Sequence, residues 1–373
     1  MLELIATSVF VILMVGAGYV AYKLRFAFTH FKMKRLMSGP KMLSDMPSVS
    51  VCIPARNETH AMTEALERVI ASTYPKLEII VLDDSSADDT SVLIKSFAHA
   101  GVRFVEGSAL PTGWLGKNHA LEGLMREASG SLILYLDVDT YIRPDTIEQM
   151  VAYMLHEKAA MISVLPRRDD AWRISTLFGT LRYYWELILH RPGSPAVASS
   201  AWMIDRHILR DDLGGFEPLK DVVQPEATIA ATLAVRHAYR FLVSTPLIGV
   251  SYEKKWKSQI DTSIRLLYPV LGGRWAQATL MAIYLALLSI PFFVVIFSCV
   301  FGWNSVSWLA LSALVVYMVL YGVFLAYIER RSWIVGVVLW PAVIIQELVV
   351  LVMSIYKHLT HTVTWKGRPI TTR

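Results

Sequence analysis

The 373-residue chain is 54% hydrophobic, has a mean hydropathy of +0.43, and only 18% of its residues are charged. Soluble domains carry about 25% charged residues, so this composition argues against a wholly soluble enzyme and against a disordered or collagen-like chain. The net charge of +5 is too small to indicate a nucleic-acid-binding protein, and it suits a protein beside an anionic membrane surface. Cys52 and Cys299 lie far apart in apolar runs, which favours a reduced compartment over a disulfide framework.

The N-terminal region begins with an uncharged apolar run at residues 4–22, about as long as a bilayer requires. A cluster of lysines and arginines follows this run, whereas a single glutamate precedes it. Because cytoplasmic flanks are enriched in Lys and Arg, we expect the N-terminal side outside and the following segment in the cytoplasm. We predict a transmembrane anchor at residues 1–23 and a basic linker at residues 24–46.

A second apolar region has no charged residue from 278 to 328 and is interrupted near its middle by Gly302, Trp303 and Asn304. This pattern predicts a transmembrane hairpin at residues 276–329, which leaves the cytoplasmic side and returns to it.

The last apolar stretch, residues 332–356, contains Pro341 and the polar pair Gln346 and Glu347. A spanning helix kinked at the proline would place the basic tail outside, whereas a re-entrant or interfacial segment would return the tail to the cytoplasm. The basic tail and the interrupted helix favour the second alternative. Residues 330–373 are therefore predicted to be a membrane-associated or re-entrant segment with a basic cytoplasmic tail.

Between the apolar regions, residues 47–251 alternate short apolar runs, which predict strands, with longer amphipathic runs, which predict helices. The predicted strands are 48–54, 77–82, 102–105 and 132–136, and the predicted helices are 59–71, 88–100, 117–128 and 144–156. This alternation implies an α/β, Rossmann-like domain with a parallel sheet covered on both faces. Ligands of such sheets bind beyond the carboxyl ends of the strands.

Three loops at those strand ends carry charged side chains, namely residues 54–58, 83–89 and 137–140. One aspartate after a strand is usually a turn or helix cap, but carboxylates at three strand ends of one sheet indicate a binding site. Asp137 and Asp139 can offer oxygens to Mg²⁺ or Mn²⁺, whose coordination shell is usually completed by substrate phosphates. The site therefore has the chemistry to bind a nucleoside diphosphate.

Four motifs resemble the family 2 glycosyltransferases, which have the GT-A fold. They are Pro-Ala-Arg-Asn-Glu at 54–58, Asp-Asp-Ser-Ser at 83–86, Gly-Trp-Leu-Gly-Lys-Asn-His-Ala at 113–120 and Asp-Val-Asp at 137–139. The resemblance covers residues 48–250. The Gly-Trp-x-Gly-Lys-Asn element is similar to membrane enzymes that glycosylate lipids: ceramide glucosyltransferases, hopanoid-associated enzymes and carotenoid glycosyltransferases. The Thr-Trp-Lys-Gly-Arg tail at 364–368 also looks like the tail of that group.

The resemblance implies an inverting transfer from a nucleotide-sugar, with a UDP-sugar as the expected donor. It places the donor against Pro54, Ala55, Arg56, Glu58, Asp83, Asp84, Lys117, Asp137, Lys255, Trp256 and Arg368. Asp83 would meet the uracil or ribose, and Lys117 would face the donor phosphates. Asp139 and Asp137 would hold Mg²⁺ or Mn²⁺, and Trp114 and Trp365 would contact the sugar or the acceptor.

The catalytic base is where this sequence departs from the family pattern. The family usually supplies it from Glu-Asp at the start of a helix that follows a Gly-Gly-Phe turn. Here the turn is present at 214–216, and the expected pair aligns with Pro225 and Glu226. Glu226 is therefore the candidate base, and Asp221 is the alternative.

A second departure concerns the Gln/Arg-x-x-Arg-Trp motif of many relatives. The nearest fit is Tyr-Glu-Lys-Lys-Trp at 252–256, where Lys255 lacks the bidentate fork of arginine, and Arg274 with Trp275 is a competing match. This puts the phosphate clamp in doubt and argues against a processive polysaccharide synthase, which would also need more spanning helices.

Two amphipathic stretches support a lipid acceptor. Residues 171–190 and the interface segment at 252–275 repeat apolar residues at helical spacing beside basic ones. Such helices can lie in the headgroup plane or pack on other helices. We therefore predict an integral membrane glycosyltransferase, of a bacterial-type inner membrane or its equivalent, which has a cytoplasmic catalytic domain and moves one sugar to a lipid. The alternatives are a polyprenyl-phosphate glycosyltransferase, a processive synthase, and a nucleotide-sugar-binding pseudoenzyme.

Overall fold

The structure is a computed structural model that describes residues 2–33, 46–168, 173–328, 333–365 and 368–369. The chain divides into two compact units. The first, here called the sheet unit, comprises Phe31–Arg167, His190–Glu253 and Thr364–Arg373. The second, here called the helical unit, comprises Met1–His30, Arg168–Leu189 and Lys254–Val363.

The strands and helices are numbered in chain order. The strands are β1 Val49–Ala55, β2 Leu77–Asp83, β3 Val102–Glu106, β4 Leu132–Leu136, β5 Thr140–Tyr141, β6 Met161–Leu165, β7 Arg167–Arg168, β8 Ala201–Asp205, β9 Tyr239–Val243, β10 Ser251–Tyr252, β11 Thr364–Trp365 and β12 Arg368–Pro369. The α-helices are α1 Leu2–His30, α2 Thr59–Ile70, α3 Thr90–Ser96, α4 Gly116–Glu127, α5 Thr146–His156, α6 Ile174–Leu177, α7 Arg182–Leu189, α8 Pro225–Val235, α9 Trp256–Val270, α10 Trp275–Phe301, α11 Ser305–Ile328, α12 Trp333–Val338 and α13 Trp340–Leu359.

The sheet unit is built on a seven-stranded sheet in the order β3-β2-β1-β4-β8-β6-β9. Strands β1 to β4 pair in parallel, as predicted. Strand β8, for which no prediction was made, is antiparallel to both β4 and β6, so the sheet is mixed. A short apolar strand such as β8 has the same hydrophobic pattern in either direction, so the sequence does not indicate its orientation.

The hydrophobic core explains why these segments form strands. Val49, Val51 and Ile53 alternate along β1, and all three are fully buried against helices α2 and α5. Burying one such side chain contributes about 1.5–3 kcal/mol, so the apolar alternation fixes which face of β1 points inward. The pairing register places Ala55 beside Asp83, which brings the loops after β1 and β2 together at the carboxyl edge of the sheet.

The helical unit contains, within the described residues, four helices long and apolar enough to cross a membrane: Ala6–His30 within α1, α10, α11 and α13. The first extends beyond the predicted anchor because the helix continues through its basic flank to His30. The predicted interruption is present, since α10 ends at Phe301 and α11 begins at Ser305. The Asn304 side chain accepts a hydrogen bond from the N–H of Ser307 at 3.0 Å and so caps the start of α11.

The predicted amphipathic helix at 171–190 is wrong as one helix, because the structure has two short helices, α6 and α7, in that region. In a continuous helix the N–H of Leu181 would bond a carbonyl four residues earlier, but it donates to Glu347 Oε2 at 3.2 Å. The Gln346 Nε2 donates to the carbonyl of Phe178 at 3.0 Å. The polar pair of α13 therefore satisfies the backbone groups that the break at 178–181 exposes.

The last apolar stretch is also interrupted as expected. Helix α12 ends at Val338 and α13 begins at Trp340, so the break precedes Pro341. Residues 34–45 of the predicted linker, Lys366 of the tail and the side chain of Trp365 lie outside the described residues.

Candidate active site

The loops after β1 and β2 are fastened to each other by hydrogen bonds. Arg56 donates to the carbonyls of Asp84 and Ser85, the latter at 3.0 Å. The N–H of Asn57 donates to Ser86 Oγ at 2.9 Å, and Asn57 Oδ1 accepts from the N–H of Ala87 at 2.9 Å. These bonds join the two loops to each other at the carboxyl edge of the sheet.

Asp83 ends β2 and is 4% exposed. Its Oδ1 accepts hydrogen bonds from Ser86, and its Oδ2 accepts from Ser91 Oγ at 2.5 Å. The carboxylate therefore organises the loop that follows β2, and its predicted contact with the nucleoside stays a prediction.

Asp84 is 2% exposed, and a single nitrogen of Arg368, Nη1, donates to both of its carboxylate oxygens, at 2.8 Å from Oδ1 and 2.7 Å from Oδ2. Burial raises the pKa of Asp84, while the bonds and charge of Arg368 oppose that effect without cancelling it. Arg368 begins β12, which pairs with β11 in a two-stranded hairpin. Arg368 therefore contacts a carboxylate of the Asp-Asp-Ser-Ser motif, and its predicted contact with the donor stays a prediction.

Helix α4 carries the Gly-Trp-x-Gly-Lys-Asn element into the same site. Lys117 lies in its first turn, and its Nζ is 2.8 Å from Asp137 Oδ1. Both side chains are about a quarter exposed. A solvated lysine would point away from the sheet, whereas Lys117 contacts Asp137, the residue that directly follows β4. Trp114 is half-buried, and its ring packs edge-on to His119 at 5.5 Å between centroids.

The Asp137–Asp139 turn is shaped by backbone bonds. The N–H of Asp137 donates to the carbonyl of Ser200 at 2.9 Å, and the N–H of Thr140 donates to the carbonyl of Asp137 at 2.9 Å. Among the described residues, Thr140 Oγ1 and Ser200 Oγ are buried hydroxyl oxygens without a hydrogen-bond partner. Two unsatisfied hydroxyls beside this turn are unusual, because such groups are normally paired.

The Asp137–Asp139 turn is the place where the sequence predicts a divalent cation. No group of three or more His, Cys, Asp or Glu that could hold a metal occurs in the part of the chain that the structure describes. Two carboxylates, Asp137 and Asp139, nevertheless form the hard-oxygen set that Mg²⁺ or Mn²⁺ uses when substrate phosphates complete its shell. The chemistry fits a cation that arrives with a phosphorylated substrate.

The candidate base Glu226 follows Pro225 in the first turn of α8 and is 2% exposed. A first-turn acid that only complements the helix dipole has no need to be buried, so this placement favours a role inside the protein. Asp221, the alternative, is half-buried in the preceding loop. That loop follows the Gly-Gly-Phe turn, in which Gly214 and Gly215 have φ of +75° and +68°.

Lys255 and Trp256 belong to the helical unit, where Lys255 precedes α9. Trp256 is 41% exposed, and its Nε1 donates to Gln346 Oε1 at 3.0 Å. Their predicted contact with donor phosphates stays a prediction. Asn118, which is 1% exposed beside Lys117, was not among the predicted site residues. Its place in the Gly-Trp-x-Gly-Lys-Asn element was the signal that could have singled it out.

Comparisons with known proteins relate this chain to glycosyltransferases. Residues 50–211 match the family model described as "Glycosyl transferase family 2". A 4,4'-diaponeurosporenoate glycosyltransferase of Staphylococcus aureus strain bovine RF122 / ET3-1 is 31% identical over 121 residues, 32% of this chain and 32% of the relative. The protein of that name from strain MRSA252 is 30% identical over the same length. The match therefore spans about a third of the length of these curated relatives.

Among solved structures, a mannosyltransferase of Pyrobaculum calidifontis, in complex with GDP-Man and Mn²⁺, has a TM-score of 0.59 at 18% identity. The alignment covers 95% of this chain and 99% of that chain. This similarity shows the fold, which is of the GT-A type. The resemblance drawn from the four motifs is confirmed for residues 50–211.

Proposed function

Because residues 50–211 are a family 2 glycosyltransferase domain, we propose that the protein transfers one sugar from a nucleotide-sugar to a lipid. The observations that support the proposal are two ion pairs, Arg368 with Asp84 and Lys117 with Asp137, whose aspartates follow the parallel strands β2 and β4 at the carboxyl edge of the sheet. Paired cations and carboxylates at this edge suit a nucleoside diphosphate with its counter-ion. The expected donor is a UDP-sugar.

The two loops joined by Arg56 and Asn57 are proposed to support the donor, and Lys117, which now pairs with Asp137, is proposed to contact the diphosphate. A Mg²⁺ or Mn²⁺ ion held by Asp137 and Asp139 would supply positive charge for the departing diphosphate. The named ligands of the Pyrobaculum calidifontis mannosyltransferase, GDP-Man and Mn²⁺, support this pairing of metal and donor.

Transfer is a single displacement. The acceptor hydroxyl oxygen attacks the anomeric carbon, and its proton passes to the carboxylate of Glu226. The bond from the anomeric carbon to the diphosphate oxygen breaks, and the nucleoside diphosphate leaves with that electron pair. Attack opposite the leaving group inverts the anomeric configuration. The burial of Glu226 supports this role because it keeps bulk water from competing with the acceptor.

A lipid acceptor is supported by two facts. The described chain has four helices apolar enough to span a membrane, and the Staphylococcus aureus relatives are named for 4,4'-diaponeurosporenoate, a carotenoid. A lipid hydroxyl reaches the site from the membrane, while the nucleotide-sugar reaches it from the cytoplasm. The protein is accordingly proposed to be an integral membrane protein whose sheet unit faces the cytoplasm.

The test uses the full chain purified into lipid nanodiscs with Mn²⁺ and a panel of radiolabelled UDP- and GDP-sugars. The expected result is one sugar per acceptor in the lipid extract, identified by mass. Transfer to added polyprenyl phosphate alone would select the alternative acceptor, and a ladder of products would indicate a processive synthase. Donor binding without transfer or hydrolysis would leave only a nucleotide-sugar-binding protein.

A further inference from the structure

Asn118 of α4 makes an unusual set of contacts for a buried side chain. Its Nδ2 lies 2.7 Å from the carbonyl of Leu219, 2.8 Å from that of Val222 and 3.3 Å from that of Lys220. Three carbonyl oxygens can be approached only by a donor, so these contacts fix which end of the carboxamide faces the loop. An amide nitrogen has two N–H groups, and both are directed at the backbone of one loop.

The loop from Phe216 to Gln224 is held to α4 at two further places. The N–H of Leu115 donates to the carbonyl of Lys220 at 2.8 Å. Glu122, one helical turn after Asn118 and 6% exposed, accepts the N–H of Phe216 at 2.9 Å. Helix α4 and its N-cap residue Leu115 therefore hold the start, the middle and the end of this loop by hydrogen bonds.

This loop leads directly to the proposed base. Val222 is four residues before Glu226, and Asp221 lies within the loop itself. Both candidate carboxylates therefore depend on the loop backbone for their position. The adjacent residue Lys117 has its Nζ 2.8 Å from Asp137 Oδ1. Of these two consecutive residues of α4, Lys117 therefore lies beside the proposed donor carboxylate, and Asn118 contacts the loop that leads to the proposed base.

We propose that Asn118 is a positioning residue: its carboxamide fixes the backbone of the loop from Phe216 to Gln224, and so places Glu226 relative to a donor held by Lys117. The inference rests on the proposed function. In this proposal Asn118 contacts neither the nucleotide-sugar nor the acceptor, and it affects transfer only through the position of Glu226. Its loss should lower kcat for transfer and leave the affinity for the donor unchanged.

The main probe is Asn118→Asp, which has the same shape but presents a carboxylate oxygen to carbonyl oxygens and so repels the loop. Asn118→Ala removes the donors without adding charge, and it serves if the first variant does not fold. Glu127→Gln is the matched control, because it makes the reverse exchange of carboxylate and amide on an exposed part of α4. Lys117→Met is the comparison for loss of the donor contact.

Three readouts are taken in nanodiscs: kcat for transfer, affinity for the UDP-sugar, and hydrogen exchange of the amides in 216–224. Asn118→Asp should lower kcat by about 10-fold or more, change donor affinity by less than about 2-fold, and speed exchange in the loop. In an E226Q background the same substitution should cost less than about 3-fold, because the base through which it acts is already absent.

Faster exchange with unchanged kcat would overturn the proposal, as would a fall in donor affinity like that of Lys117→Met. Equal losses in the wild-type and E226Q backgrounds would also overturn it, because they would show an effect independent of the base. If the wild-type chain binds donor but transfers no sugar, the proposed function fails, and the positioning role fails with it. That outcome is recognised from the wild-type control alone.

Discussion

Arg368 and Asp84 are 284 positions apart in sequence, yet two hydrogen bonds of 2.8 and 2.7 Å join them in the sheet unit. The aspartate is buried, and the arginine side chain is 21% exposed. A buried carboxylate with its partner removed is strongly destabilising, whereas an exposed pair contributes little. The tail hairpin is therefore part of the folded sheet unit at the end of β2.

Arg368→Gln should destabilise the sheet unit in a pH-dependent way. The folded-state pKa of Asp84 already lies above its ordinary value. The contribution of Asp84 to the free energy of unfolding is therefore present at low pH and is lost as the pH rises through the folded-state pKa. Removing Arg368 raises this pKa further. We expect little loss of stability below the ordinary pKa of aspartate and about 3 kcal/mol near neutral pH. Thermal unfolding from acid to neutral pH measures the difference.

The matched control is Arg103→Gln, because Arg103 forms an exposed pair with Glu127 at 3.2 Å. That substitution should cost less than about 1 kcal/mol at any pH. A pH-independent loss in Arg368→Gln would contradict the assigned titration of Asp84.

Glu226→Gln should lower sugar transfer by about 10²-fold or more, the usual scale for loss of a general base. An amide of the same shape preserves the packing of α8, so donor affinity should stay unchanged. Asp221→Asn should be mild. Both variants are measured for transfer and for UDP-sugar affinity. Strong loss in Asp221→Asn with an active Glu226→Gln would move the base to Asp221.

Asp139→Asn should abolish transfer while leaving the fold intact, because it removes one of the two carboxylates expected to face the cation. The loss should be largest at limiting Mg²⁺ or Mn²⁺. The assay is donor turnover across a metal titration, with circular dichroism to report the fold. Near-wild-type turnover at limiting metal would refute the metal assignment.

Glu347→Gln should destabilise the helical unit by about 1–3 kcal/mol, the cost of one buried donor left without an acceptor. Glu347 is fully buried and accepts from the Leu181 N–H and, at 3.0 Å, from Trp185 Nε1, using a different oxygen for each. Glutamine keeps one of these oxygens. Unfolding in detergent measures the loss. In a Trp185→Phe background the substitution should cost less, since phenylalanine has no N–H to leave unpaired.

The topology can be tested with single cysteines in a Cys299→Ser background, because Cys299 is exposed and Cys52 is buried. In right-side-out vesicles an impermeant maleimide should label Ser305→Cys and should spare His156→Cys and Thr364→Cys. Because the tail strands and the sheet belong to one unit, we expect both on the same side of the bilayer. This arrangement predicts that α10 and α11 cross the membrane and that α13 is re-entrant.

Labelling of Thr364→Cys together with Ser305→Cys would mean that α13 crosses the membrane. A reversed pattern, with His156→Cys labelled and Ser305→Cys spared, would place the sheet unit outside.

The parts of the fold that depend on local pattern could be predicted from the sequence. Strand β4 has its predicted bounds of Leu132–Leu136, because a short apolar run between turns is a sufficient signal. The direction of β8 and the break between α6 and α7 could not be predicted. The break depends on Glu347, which is 166 positions from Leu181, and no local pattern reports such a contact.

The candidate site divides in the same way. The motifs placed Asp83, Asp84 and Asp137 at strand ends, because the carboxyl ends of parallel strands meet at one edge. The contacts of Asn118 could not be predicted from the sequence, since its partners are backbone carbonyls more than 100 positions later. Every residue has a backbone carbonyl, so the residue types do not indicate which carbonyls accept these hydrogen bonds.

The distance between Asp84 and Arg368 also orders events during synthesis. The ribosome makes the aspartate 284 residues before its arginine, and the apolar helices α10, α11 and α13 are translated in between. The nascent sheet can therefore collapse early, but the carboxylate at its edge has no arginine until these helices have been made. We therefore expect this edge of the sheet to be completed last, and a chain that stalls before the tail to keep Asp84 without Arg368.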